Sequence, residues 1–407
     1  MIRTGAIDFS SREPDFTRDP YPIYAELRDS APVCPVQIHG LRGWLITRYD
    51  DVRQALGDGS LSNDRRAANP AARSASWLFA DEPFHLQHHM LRSDPPRHTH
   101  IRRIVSHAFT ARQVAELRPR IEQIAHELID RFSARGRTEL ISTYAFPLPL
   151  AVIMEILGIP PADREHLRGW SDVLSSGSAA SQQDVAACLY HMRDYFREVA
   201  VHNRHGGGAG GLLAVLAACH RDQELSEAQL LSSAFQLLQG GHVTTLGLIA
   251  NGVLALLRNP CQLATLKARP ELAESAVEEL LRFDPPMKVA TVRFTTKPLQ
   301  IGGITIPGDG QPVMPALAAA NRDPARFPNP DALDLSRDCS GHLSFAYGIH
   351  YCLGAHLARL EAQVAFRVLI DRLDNLTLGV DPRELVWRAN PHLRRPERLP
   401  VTFTVRN

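Results

Sequence analysis

The chain has 407 residues, 44% of them hydrophobic and 22% charged, with a formal net charge of +1. This is the balance of a globular protein that can bury a core, and it excludes a disordered chain and the basic excess that bulk nucleic-acid binding requires. The six cysteines (Cys34, Cys188, Cys219, Cys261, Cys339 and Cys352) include no CxxC pair, so neither a zinc site nor a disulfide framework is indicated, and a reduced, cytoplasmic compartment fits best.

The opening MIRTGAIDFSSREPDF is polar and reads as neither a signal peptide nor a membrane anchor. After Asp19 and Pro20, YPIYAELRD predicts a first helix. Residues 43–48 (GWLITR) alternate like a short strand, and a helix follows over residues 49–56. Residues 69–92 carry Pro, Trp, Phe and His without a clean period, an irregular stretch of the kind that is usually functional inside a compact domain. A helix is predicted from Asp94, started by Pro95 and Pro96, and helical segments continue to about residue 203. Residues 205–211 (HGGGAGG) read as a surface loop. Further helices are predicted over 226–257 and 271–282, the latter stopped by Pro285 and Pro286; residues 289–313 then alternate apolar and polar between glycines, as strands do. The longest apolar stretch, residues 246–257, is interrupted by Asn251 and Gly252, short of the roughly 18 to 20 residues that a membrane span needs. The expected architecture is mainly α with small β-sheets, in one domain over residues 1–407.

Residues 342–361, HLSFAYGIHYCLGAHLARLE, read as a loop ending at Cys352 and an amphipathic helix with Leu353, Leu357 and Leu360 at helical spacing. The first N–H groups of a helix lack internal acceptors and the macrodipole favours negative charge there, so a cysteine so placed is expected to lean toward thiolate. Gly348 and Gly354 flank it, as expected if the backbone turns sharply there and approaches a flat ligand closely, and Phe345 and His350 could supply a packing face and a polar contact. Upstream, Glu279 and Arg282 share a helix face at i, i+3, and His98 and Arg102 share one at i, i+4. Residues 232–252 (SSAFQLLQGGHVTTLGLIANG) carry Gly240, Gly241 and Thr244, a combination that favours a local opening of a helix. On a helical wheel, Gln236, Gln239, Gly240, Val243 and Thr244 share an arc of about 140°.

These stretches resemble the cytochrome P450 family in family order, from PYPIYAELR at Pro20 to LPVTF at Leu399. The loop matches FxxGxHxCxG at Phe345, Gly348, His350, Cys352 and Gly354, with Ala346 where glycine is often found. The resemblance implies the cytochrome P450 fold and a haem b cofactor with Cys352 as axial ligand of its iron, the ligand type that favours O–O cleavage. It further implies propionate contacts from His98, Arg102, Arg293 and His350, and a structural pair of Glu279 and Arg282 under the haem. The central helix matches the family's AGxETT or AGxDTT motif, which places Gly241 and Thr244 at the oxygen-binding groove and leaves His242 without a ligating role. Val243 departs from the usual acid, so the ordinary proton relay is in doubt. Gln239 is expected to order a water in its place, or to bind polar substrate groups together with Gln236.

Other substrate contacts implied by the resemblance are Gly240, Val243, Val289 and Thr291, the segment around Trp77, Phe79, Phe84 and His85, residues 168–195, and the turn near His392. The implied activity is insertion of one oxygen atom from O2 into a C–H or double bond of a small or medium-sized molecule, free or carrier-tethered, in bacterial natural-product biosynthesis. Electrons are expected from a ferredoxin and its reductase, docking on a basic face of Arg103, Arg112 and Arg359. Two alternatives stay open: an atypical member that uses peroxide, couples rings or desaturates, to which Val243 points, and a non-catalytic partner protein, against which Cys352, Arg102 and Thr244 argue.

Overall fold

In this computed structural model, residues 7–9, 13–38, 40–74, 86–175, 180–204, 210–390 and 392–406 are described. The helical part is built on Glu227–Arg258, 32 residues long. Its start is written locally: the Ser226 hydroxyl accepts from the Gln229 N–H at 3.2 Å while the Gln229 side chain accepts from the Ser226 N–H at 2.8 Å, a reciprocal cap. Its end coincides with Asn259 and Pro260, and Arg258 complements the dipole in the last turn. A helix apolar on nearly every side is stable only when surrounded by protein or lipid. Among the described residues this is the one helix long and apolar enough to cross a membrane, and 72% of its most apolar window lies inside the protein. It packs on Pro147–Leu157, Gln182–Arg204, Ala273–Phe283 and Ala355–Arg372.

The β portion flanks this core. A six-stranded sheet runs in the order Ile7–Asp8, Val33–Ile38, Leu41–Ile46, Pro312–Pro315, Arg293–Thr295 and Leu61–Ser62. Val33–Ile38 and Leu41–Ile46 form an antiparallel hairpin with Val33 opposite Ile46, and Leu41–Ile46 then pairs in parallel with Pro312–Pro315. That pairing brings Arg293, opposite Val313, within reach of the helix Tyr49–Gly57. Smaller sheets join Leu373–Leu378, Pro400–Val405 and Arg137–Glu139, and Leu299–Ile301 with Ile304–Ile306.

The expected mainly α architecture with small sheets is what the chain forms, with shifted boundaries. The first helix is Tyr21–Ser30, the next strand Leu41–Ile46 and the next helix Tyr49–Gly57. The helix behind the prolines starts at Arg97, not Asp94, and the Asp94 carboxylate accepts from the Ser62 hydroxyl and the Asn63 N–H. Helix Ala273–Phe283 follows a tight turn at Pro270–Leu272. Within the two irregular stretches, residues 75–85 and 205–209 lie outside the described residues.

Candidate active site

Cys352 stands three residues before the helix Ala355–Arg372, behind the turn Gly348–His350. Gly348 has φ +78°, and a Cβ there would lie 2.9 Å from the Leu56 carbonyl oxygen, so the loop can press on helix Tyr49–Gly57 only with glycine at this point. The Cys352 N–H donates to the Phe345 carbonyl at 2.9 Å, closing the loop. The cysteine faces an internal cavity that Phe345, Ala346, Gly354 and Leu357 also line. Cys352 presents surface to that cavity, yet the atoms around it desolvate the sulfur: burial pushes the thiol up, and the Gly354 N–H, Arg102 and Arg359 pull down without prevailing. The expected thiolate bias is thus corrected for the polypeptide by itself, since enclosure outweighs a helix start that lies three residues on.

Arg102, Arg293 and His350 line the same cavity. Arg102 donates to the Tyr351 carbonyl at 2.8 Å. Arg293 is 3% exposed and donates to the carbonyls of Ala55 and Leu56 at 2.9 and 2.7 Å, which leaves its Nε without a partner. The His98 ring lies 4.4 Å from that of His350, and neither nitrogen of His98 has a partner. Burial pushes Arg293 down to about 10 and His350 down to about 3, and lowers His98 as well. Buried donors left unpaired beside an apolar slot that holds a cysteine fit an iron porphyrin with two carboxylates, which would satisfy them.

Glu279 and Arg282 are both fully buried and brace the loop. Glu279 accepts from Arg282 Nε and Nη2 at 2.6 and 2.8 Å, from the Asp334 N–H at 3.0 Å, from Arg337 at 3.3 Å and from the Cys339 thiol at 3.0 Å. Arg282 also donates to the Asn321 carbonyl at 3.0 Å, and the Asn321 side chain holds the Leu343 N–H at 2.7 Å and the Ser344 hydroxyl at 2.7 Å. Sequence reasoning found the pair but missed Arg337 and Cys339, whose spacing from Glu279 carries no local signal.

On the central helix the cavity is lined by Gln236, Gly240, Gly241, Thr244, Thr245 and Leu248, and the Thr244 hydroxyl donates back to the Gly240 carbonyl at 3.2 Å. Gln239 and Val243 are absent from that lining, which corrects the wheel. The row 236–240–244 was placed rightly, but the row beside it is 237–241–245, because Gly241 is pressed against Ile153 and that contact sets the helix rotation. His242 also lies off the cavity: its Nδ1 meets the Leu238 carbonyl at 2.7 Å, its ring meets Phe146, and burial pushes it down to about 4.

Thr291 lines the cavity with Met287 and Ala290, whereas Val289 does not, since it packs into the core beside the large sheet. His392 is likewise outside the lining; its carbonyl takes the Lys288 N–H at 2.7 Å. Trp77, Phe79, Phe84 and His85 lie outside the described residues, and the described part of 168–195 contributes no lining residue. Of the three arginines expected on a docking face, Arg103 pairs with Glu224 and Arg112 with Glu116 at the exposed surface, and Arg359 pairs with the half-buried Glu278.

Glu361 was missed altogether. It is 0% exposed and lines the cavity, and burial holds its carboxyl well above the usual range. The Thr245 hydroxyl opposes that shift, although the contact falls short of hydrogen-bond geometry. The signal was an acid directly after Leu353, Leu357 and Leu360 on an apolar stripe.

A family model described as Cytochrome P450 matches residues 262–388. Cytochrome P450 107B1 of Saccharopolyspora erythraea is 41% identical over 411 residues, covering 98% of this chain and 99% of that protein. Cytochrome P450 monooxygenase PikC of Streptomyces venezuelae is 41% identical over 402 residues, covering 98% and 94%. Among solved structures, the tirandamycin C-bound P450 monooxygenase TamI superposes with a TM-score of 0.90 at 39% identity, covering 98% of this chain and 100% of that one. Identity at this level along the full length joins the cysteine cavity and the glycine–threonine helix to one conclusion: the chain belongs to the cytochrome P450 family and is a monooxygenase.

Proposed function

We propose that the protein binds haem b in this cavity, where Cys352 would supply a thiolate to its iron, and hydroxylates or epoxidises a medium-sized bacterial natural product. The observation that carries the reading is a single cavity lined at once by Cys352, by Arg102, Arg293 and His350, and by Gly240, Gly241 and Thr244. His98, Arg102, Arg293 and His350 would take the two propionates, Phe345 and Leu357 would pack the porphyrin, and Gly348 and Gly354 would let the loop close on it. Bound haem supplies the activation of dioxygen, and the chain supplies orientation, water exclusion and protons.

Thr244, held back on the Gly240 carbonyl, orders water in the groove that the two glycines leave open. With Val243 neither acidic nor facing the cavity, Glu361 behind Thr245 is the proton source; burial raises its carboxyl well above the usual range, which favours the form that can donate. Gln236 and Thr291 meet polar groups of the substrate. A tirandamycin C-bound relative supports a substrate of that size. The six described cysteines are all free, in keeping with a reduced cytoplasm where a ferredoxin and its reductase deliver electrons to one catalytic domain.

The test is the carbon monoxide difference spectrum of the reduced holoprotein and of Cys352→Ala. A strongly red-shifted Soret band in the first, lost in the second, is expected. Haem bound without that band, or a band that survives the substitution, would overturn the reading.

A further inference from the structure

Beneath the cysteine loop, a second acid–arginine cluster stands beside the Glu279–Arg282 pair and has no part in the reading above. Arg359, on the helix that follows Cys352, is gripped by both oxygens of Glu278 at 2.7 and 2.8 Å. The His342 Nε2 meets the same carboxylate at 3.0 Å. Burial alone would raise the Glu278 carboxyl, but the bonds from Arg359 and His342 outweigh it and hold it at about 2.

The guanidinium so fixed is directed at the loop. It lies 4.4 Å from the centre of the Phe345 ring and donates to the Tyr351 hydroxyl at 3.3 Å. Phe345 is the residue whose carbonyl receives the Cys352 N–H, and Tyr351 precedes Cys352 in the chain. Arg359 therefore touches both ends of the turn that presents the sulfur, and brings a cation toward it. A planar, always charged fork can stack on a ring and hold a carboxylate with two bonds together, which an ammonium cannot do.

We infer that Arg359, clamped by Glu278, is a positioning residue for Cys352 that fixes the loop and sets the charge felt by the sulfur. The inference rests on the haem-thiolate reading. A cation near a thiolate–iron centre favours the reduced, less positive state, so neutralising it lowers the reduction potential, while neutralising Glu278 unmasks the arginine and raises it.

Arg359→Gln, Arg359→Lys and Glu278→Gln holoproteins are compared with wild type for the carbon monoxide band, the haem reduction potential and the rate of haem transfer to apomyoglobin. Arg359→Gln is expected to shift the potential negative and to release haem roughly tenfold faster, the scale of one charge-assisted bond. Arg359→Lys keeps the potential near wild type but still releases haem faster. Glu278→Gln shifts the potential positive. Opposite signs cannot arise from general loosening of the fold. Shifts of the same sign, no shifts, or a lysine variant that matches the glutamine one would overturn the inference, and if Arg359→Gln does not fold, the other two variants decide. A wild type that lacks the thiolate band brings down the underlying reading instead.

Discussion

Substituting Gly241→Ala should destabilise the protein, while Gly240→Ala, one residue away on the same helix, should not. A Cβ on Gly241 would lie 2.5, 2.7 and 3.1 Å from Cγ1, Cδ1 and Cβ of Ile153, which is fully buried on Pro147–Leu157 and cannot swing away. Overpacking of this kind costs about 1–3 kcal/mol. The gain in helix propensity on replacing glycine returns roughly 0.8–1 kcal/mol. With carbon–carbon contacts this short the cost belongs in the upper half of its range, so the net loss is about 1–2 kcal/mol. A Cβ on Gly240 meets nothing closer than Gln236 Nε2 at 3.6 Å and adds a methyl to the cavity, so that variant keeps the propensity gain. Urea unfolding of the holoproteins, followed by far-ultraviolet circular dichroism, should separate the two by about 2–3 kcal/mol. Ile153→Ala combined with Gly241→Ala should show a favourable coupling of about 1 kcal/mol or more, because it removes the two closest contact atoms. Equal midpoints for the two glycine variants, or strict additivity in the double variant, would refute the account of how the central helix is rotated.

Glu361→Gln should lower product formed per electron pair about tenfold or more; an unchanged ratio of product to NADPH consumed removes Glu361 from the proton route. Cys339→Val takes a donor from the buried Glu279 carboxylate and should cost about 1–3 kcal/mol in urea unfolding, whereas Cys339→Ser should recover most of it; equal losses would mean that packing alone is at work. His242 is held neutral by burial, at about 4 against 6.5 for an exposed imidazole, so the unfolded chain gains the proton first as pH falls. Its contribution to stability is therefore whole above about pH 6.5 and is lost progressively down to about pH 4, by about 3 kcal/mol in all. His242→Phe should flatten the fall in urea midpoint between pH 6.5 and 5 by one proton's slope, and an unaltered slope would exclude His242 as its source.

Where a property depends on residues joined by a few covalent links, the amino-acid sequence determined it alone. The capped start of Glu227–Arg258, its stop at Pro260 and the turn at Gly348 follow from local hydrogen bonds and backbone sterics. The order of groups in the cysteine loop carries the family resemblance by which Phe345, His350 and Cys352 were expected together, and all three line the cavity. The pairing of Glu279 with Arg282 was equally legible, since three residues of helix put both on one face.

Tertiary structure decided the rest. The arc of the central helix that meets the cavity is set by the Gly241–Ile153 contact between segments far apart in the chain, so a wheel drawn on one helix could take Gln239 and Val243 for pocket residues. Enclosure raises the Cys352 thiol and the Glu361 carboxyl, and enclosure is a sum over many neighbours that no single stretch contains. Arg359 looked like a surface cation until folding brought Glu278, 81 residues away, against it. Spacing along a chain fixes which groups are neighbours on one element; how much solvent each keeps, and which charge it meets across the core, comes only from how the elements pack.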